Sequence, residues 1–417
     1  MPSPYRRAPL LAASCAALAL AAALTGPAWA DPAPAFEQLL AQALTAPTSA
    51  EADANLAAAE ARLTQAGVRP NPELAVEVEN VLGSGPFQGA DGAETTVSLS
   101  QDLELWGRRG ARVGVAEAER QAASWRRQAS RLEVGGALAN AYAEAEAAQR
   151  RYDLAEETLA LTVADARAAL SLVEEGREPL LRGIQGESEA AAARAALDEA
   201  RAERDAAFAA LTALAGGQTP LTSVETSLLD RLPPAGSGEA ADAPAVLALA
   251  AEREAAQGRV RMEQAQGRPD VRASLGVRRL EAEDATALTM GMSLQLPLFD
   301  RNRGSISAAE AEVRAADARL RGARLDARAS WQAAAARRDA AASRVSAADA
   351  SVAAASEAYR LTRIGFEAGR LSQLELRSAR AGMVQARETA IAARLSRAKA
   401  EADLARLEGR APFGAQL

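Results

Sequence analysis

The chain has 417 residues and a formal charge of −7; hydrophobic residues make up 49% of it but aromatic ones only 3%, so alanine carries most of the apolar content. It holds no histidine and one cysteine, which argues against imidazole- or thiol-based catalysis and against tight Cys/His metal centres. The acidic balance also argues against a nucleic-acid partner.

Residues 1–30 read as a secretory signal peptide. Arg6 and Arg7 precede an apolar run from Leu10 to Leu24, and Ala28-Trp29-Ala30 is a small-x-small cleavage site before Asp31. Cys15 lies inside the apolar run, too early for a lipoprotein-type cleavage, so the mature chain is expected to lack cysteine. After residue 30 no stretch of 18 apolar residues occurs, so any membrane-crossing part has to be β-structure.

The remainder reads as a duplication. Glu117-Ala118-Glu119 matches Glu310-Ala311-Glu312, Gly176-Arg177 matches Gly369-Arg370, and Leu211, Leu214 and Gly216 match Leu404, Leu407 and Gly409, all at an offset of 193. The first structural repeat is 31–231: a helix over 36–66, a β-hairpin over 72–106 and a long helical hairpin over 109–216. Residues 232–243, with Pro233-Pro234 and Gly236-Ser237-Gly238, are a linker. The second repeat is 244–417: a helix over 244–266, a β-hairpin over 269–299 and a long helical hairpin over 303–410.

Four segments alternate with period two, each roughly 9–11 residues, the length of a tilted membrane strand. Leu74, Val76 and Val78 alternate with Glu73, Glu77 and Glu79. Val97, Leu99, Leu103 and Leu105 alternate with Ser98, Ser100, Asp102 and Glu104. Val271, Leu275 and Val277 alternate with Arg272, Ser274 and Arg278. Leu288 to Leu298 continues the pattern in the fourth. The polar face carries charges and glycine, as a water-filled lumen allows. Trp106 and Phe299 stand at equivalent strand ends, where interfacial aromatics sit. A soluble sheet with one wet face is the competing reading. Four strands cannot close a barrel, which needs about eight, so a barrel would be shared between chains.

From Arg109 to about Val173 there is no proline; roughly 65 residues give a rod of about 100 Å, and Arg303 to about Phe366 repeats it. Gly135-Gly136 and Gly322 are candidate bends. At the reversals, Gly176 and Gly369 are placed as C-caps, Pro179 near a helix start and Ser372 as an N-cap with Glu375 three residues on, a capping box. Arg177, Arg370 and Leu371 make these exposed tips candidate docking surfaces.

These features resemble the outer-membrane factors of the TolC type over about 36–410. Arg69-Pro70-Asn71-Pro72-Glu73-Leu74 and Thr95 to Arg109 resemble the heavy-metal-efflux (CzcC-like) branch, and Gly365-Phe366-Glu367-Ala368-Gly369-Arg370 resembles the second-hairpin tip. The resemblance implies a mainly α fold with long coiled helical hairpins forming a periplasmic α-barrel, joined to a four-strand share of a trimeric 12-stranded outer-membrane β-barrel. It implies a homotrimer set in outer-membrane lipid with a large periplasmic portion, a periplasmic adaptor at the tips, and an inner-membrane RND-type pump reached through that adaptor. It places Glu375 at the closed constriction. Ser378 stands where relatives carry a second acid, and Arg182 is the first-copy equivalent of Glu375, so an Arg182–Glu375 contact between hairpins is expected. The function implied is an efflux duct for heavy-metal cations, with no cofactor and no enzymatic activity. The alternatives are a multidrug or type I secretion channel and, from another class, a periplasmic adaptor or coiled-coil structural protein.

Overall fold

A computed structural model describes residues 31–217, 219–231 and 243–415; the expected signal peptide, Cys15 and all of the expected linker except Ala243 lie outside the described residues. In chain order the elements are β1 (Asp31–Ala33), α1 (Phe36–Ala43), α2 (Pro47–Ala66), β2 (Glu73–Glu79), β3 (Glu94–Leu103), α3 (Arg108–Glu174), α4 (Leu180–Leu214), β4 (Leu221–Val224), α5 (Pro244–Gln266), β5 (Asp270–Leu280), β6 (Ala285–Gln295), α6 (Arg303–Glu367) and α7 (Gln373–Leu407).

Three local expectations are corrected. The helix expected over 36–66 is two helices, because Pro47 sits at the start of α2 and cannot donate a backbone hydrogen bond to an unbroken helix. Ser49 secures the break, its Oγ donating to the carbonyls of Leu44 (2.6 Å) and Ala46 (2.9 Å). The strands end earlier than their alternation suggests. β3 stops at Leu103, short of Leu105, and β6 stops at Gln295, because Pro297 has no N–H for a ladder; β2 has only 7 residues. The expected bends leave no break in the helices: α3, of 67 residues, passes through Gly135-Gly136 and α6, of 65, through Gly322 without interruption.

Two antiparallel hairpins join through β3 and β5 into one sheet of order β2-β3-β5-β6, with the register running from Glu94↔Leu280 to Leu103↔Val271. Its apolar face is bare: Leu74, Met290 and Met292 are 68%, 79% and 76% exposed. A contiguous apolar surface of this kind needs a covering partner. β1 and β4 form a separate parallel pair.

The long helices pack as a layer four helices wide. Nearest the sheet the order is α2–α3–α5–α6; beyond it the order is α4–α3–α7–α6. Alanine lets the backbones approach: Ala139, Ala143, Ala145 and Ala147 of α3 are essentially buried. The large side chains gather around the middle of α3, where Phe36, Leu39, Leu138, Tyr142, Phe208, Leu211 and Leu229 are buried with Phe413. Phe36 meets Tyr142 edge-on at 6.0 Å and Phe413 at 6.1 Å. The Tyr142 hydroxyl donates to the carbonyl of Thr226 (2.8 Å), and burial pushes its pKa to about 12. Beside it the buried Glu146 accepts from the backbone N–H groups of Leu228 (2.8 Å) and Leu229 (3.0 Å), from Ser227 Oγ (2.7 Å) and from Arg150 (2.6 Å), which pins the segment after β4 to α3. Among the described residues no helix is long and apolar enough to cross a membrane.

Candidate functional site: a charged groove, its junction and the hairpin tips

At the first strand-to-helix junction the chain turns through two left-handed residues, Trp106 (φ 60°) and Gly107 (φ 76°); at the second it turns at Asn302 (φ 57°). Gly110, three residues on from Gly107, is already helical. Trp106 is half exposed and its indole N–H donates to the carbonyl of Pro269 (3.1 Å). Phe299 is fully exposed. The three arginines after Trp106 close the ends of the short helices. Arg108 donates to the carbonyls of Ala265 (3.1 Å) and Gln266 (3.1 Å) at the end of α5 and pairs with Asp270. Arg109 donates to Gly67 (2.7 Å), and Arg112 to Ala66 (2.9 Å) and Val68 (3.0 Å), at the end of α2; Arg112 also pairs with Glu104. Cations at helix C-termini satisfy the last carbonyls and oppose the dipole. This role was not foreseen; the Arg-Arg-Gly-Ala-Arg run at the helix start was its only sequence signal.

The polar face of the sheet continues into the helices. The register places Glu77, Thr96 and Arg278 in one row, and Asp102, Arg272 and Ser293 in another. Arg272 bridges Glu73 (3.0 Å) and Asp102 (2.6 Å), and Arg278 bridges Glu94 (2.9 Å) and Glu79 (3.4 Å). A cavity of about 530 Å³ at the junction is lined by Asp102, Arg272, Ser293, Arg108, Arg112 and Met262. Next to it a groove of about 960 Å³ is lined by α2, α3, α5 and α6, with Glu51, Arg62, Glu119, Arg126, Glu252, Arg259, Glu312 and Arg319 on its wall. On α3, Arg108, Arg112, Glu119, Ala123, Arg126 and Ser130 recur at steps of three, four and seven, which is one helix face. Sheet and helices therefore share one charged wall. In the groove the charges are mostly paired: Arg259 with Glu119 (2.5 Å), Arg126 with Glu252 (2.5 Å) and Arg127 with Asp53. Among the described residues no group of three His, Cys, Asp or Glu side chains could hold a metal ion.

At the other end of the long helices, both reversals close alike. Gly176 (φ 68°) and Gly369 (φ 69°) adopt the left-handed conformation, Arg177 N–H donates to Leu172 (2.9 Å) and Arg370 N–H to Gly365 (2.8 Å). Arg177 pairs with Glu175 (3.3 Å) and is exposed, as are Arg370 and Leu371. Leu371 packs on Gly365, leaving no room there for a Cβ. The capping box is formed: Ser372 N–H (2.7 Å) and Oγ (2.8 Å) donate to Glu375, whose N–H donates back to Oγ (3.3 Å). These bonds hold the Glu375 carboxyl below its ordinary value. Ser378 is exposed one turn on.

The expected Arg182–Glu375 contact is not made within the chain. Arg182 pairs with Glu178 on its own turn (3.9 Å), and Glu375 is taken up by Ser372. The hairpins are joined by other residues. Arg380 of α7, which is buried, pairs with Asp165 of α3 and with Glu189 of α4 (3.6 Å); Arg377 also pairs with Glu189, and Arg387 pairs with Glu157 (2.7 Å). Burial pushes the Asp165 carboxyl up, against the pull of Arg380. Sequence reasoning missed this clasp because its partners lie up to 230 residues apart on helices whose facing sides depend on packing.

This geometry has counterparts among known proteins. Solved channels share the fold: CusC with a TM-score of 0.76 at 18% identity, covering 90% of this chain and 92% of that one, and VceC of Vibrio cholerae with 0.72 at 23%, covering 90% and 96%. In sequence the chain is 39% identical to the nickel-cobalt-cadmium resistance protein NccC of Alcaligenes xylosoxydans xylosoxydans over 73% of this chain and 70% of that protein. It is 40% identical to the nickel and cobalt resistance protein CnrC of Cupriavidus metallidurans over 67% and 68%. The profile described as outer membrane efflux protein matches residues 39–217 and 237–410, and the chain belongs to that family.

Proposed function

We propose that the chain is the outer-membrane duct of a tripartite efflux system that exports divalent heavy-metal cations. The observation that carries this reading is the two-faced sheet. Its bare apolar face suits lipid, and its charged face runs on into the groove between the helices. Three copies would supply twelve strands to one barrel and twelve long helices to one tunnel, covering the open edges β2 and β6. The names of the nickel, cobalt and cadmium resistance relatives supply the substrate class. The duct performs no chemistry: it replaces a lipid barrier by a continuous aqueous path, and a conduit works best when it holds its cargo weakly.

In this reading Glu375 and Ser378 face the constriction, Trp106 and Phe299 mark the membrane interface, and Gly176, Arg177, Gly369, Arg370 and Leu371 form the surface that meets a periplasmic adaptor and, through it, an inner-membrane pump. Deleting the gene tests the proposal. The expected result is sensitivity to nickel, cobalt, cadmium or zinc, restored by the gene in trans. Sensitivity to organic toxicants alone would overturn the metal assignment, and recovery of the protein in the soluble periplasm would overturn the duct.

A further inference from the structure

The charges along the shared wall are not distributed evenly. In the helical groove, arginine and carboxylate are closely matched, as Arg259–Glu119 and Arg126–Glu252 exemplify. At the junction Asp270 is matched by Arg108 and Glu104 by Arg112. On the strands the balance fails. The polar face there carries five further carboxylates, Glu73, Glu77, Glu79, Glu94 and Asp102, against Arg272 and Arg278 alone. Each of the two arginines is already shared between two carboxylates. Glu77 is the acid left over: it is exposed, and among the described residues it has no basic group within 4.0 Å. Arg278, in the same register row, leans away from it towards Glu94 and Glu79.

We infer that the strand-lined section, with Glu77 as its uncompensated charge, is where the wall of this duct favours cations over anions, and that the helical groove beside it is close to neutral in this respect. The inference rests on the duct reading, because the polar face must line the path. An excess of three negative charges per chain becomes nine around one opening in a trimer, of which Glu77 supplies three. No ion is held there. The excess raises the local concentration of mobile cations and lowers that of anions, and a low-dielectric wall strengthens the effect. Glu77 acts on passing ions through its field alone, so the size of the preference must depend on salt. The screening length is about 30 Å at 0.01 M salt and about 3 Å at 1 M.

The test is reversal-potential measurement on the purified full-length channel in planar bilayers under a potassium chloride gradient. The wild-type channel is expected to prefer potassium over chloride, more so at low salt. Glu77→Gln is expected to lower the permeability ratio roughly twofold at about 0.01 M salt, with little change at 1 M. Arg272→Gln, which frees Glu73 and Asp102, is expected to move the ratio in the opposite direction. Unchanged ratios in both variants, or equal shifts of the same sign, would overturn the assignment while leaving the duct intact. Failure of the wild-type protein to conduct would instead sink the duct reading. Both substituted side chains are exposed, and detergent-resistant oligomers on native gels would verify that the variants assemble.

Discussion

Arg380 of the second helical hairpin reaches Asp165 of the first, and its side chain is only 8% exposed. Truncating one member of a fully buried ion pair costs about 3–5 kcal/mol; the partial exposure of Asp165 and Glu189 reduces this to about 2 kcal/mol. Arg380→Ala is therefore expected to lower the thermal midpoint measurably. A double-mutant cycle with Asp165→Ala checks the pairing: coupling of about 1 kcal/mol or more is expected, and strictly additive effects would show that the two residues do not act together.

The start of α7 should loosen in acid. Glu375 accepts two hydrogen bonds from Ser372 and its folded pKa lies below the ordinary 4.5. A depressed carboxyl contributes stability that is present above 4.5 and lost as pH falls through the lower folded value. Amide protection over 373–378, corrected for intrinsic exchange, should fall as the pH drops below about 4.5. In Glu375→Gln that dependence should vanish.

Glu146 should be among the costliest surface-remote positions to truncate. Glu146→Ala strands the N–H groups of Leu228 and Leu229 and leaves Arg150 with Asp230 and Ser227. Unpaired buried donors cost about 1–3 kcal/mol each, so a loss of about 3 kcal/mol is expected, together with faster proteolysis within 225–231. Glu146→Gln keeps an acceptor and should lose roughly half as much.

Two glycine substitutions should have opposite signs. A Cβ on Gly186 of α4 would lie 3.1 Å from the Cα of Ala166, where the two arms of the first hairpin touch. That overpacking, about 1–3 kcal/mol, exceeds the gain of about 1 kcal/mol from alanine in a helix, so Gly186→Ala should destabilise. Gly382 meets nothing within 4 Å, and Gly382→Ala should stabilise by up to about 1 kcal/mol. Thermal midpoints measured side by side decide both.

At the tips, Arg177→Glu combined with Arg370→Glu should abolish metal resistance in cells while leaving oligomeric state and single-channel conductance unchanged. Both side chains are exposed and neither carries the fold. Normal resistance in the double variant would remove these arginines from the adaptor surface.

Much of this architecture is legible in the sequence because it is periodic. Val97, Leu99 and Leu275 declare strands by alternation, and the proline-free runs after Arg109 and Arg303 declare the long helices. The tips are readable because Gly176, Gly369 and Ser372 have local conformational reasons to be there. Pro47 and Pro297 carried readable signals that the longer patterns outweighed, and both interrupted an element. What stays hidden is contact between distant parts. Arg380 with Asp165, Arg108 on the end of α5, and Glu146 on the segment after β4 all depend on how helices rotate against one another. Arg182 and Glu375, equivalent by offset, suggested a pair, but each found a nearer partner at lower entropic cost.

The clasp also breaks the likeness of the two hairpins. At the offset of 193, Arg380 corresponds to Glu187, Asp165 to Ala358 and Glu189 to Gly382. At the matching positions the first copy therefore lacks the arginine, and the second lacks both carboxylates, of the Arg380 cluster. A ring assembled from such chains would have pseudo-sixfold backbone symmetry but only threefold electrostatic symmetry.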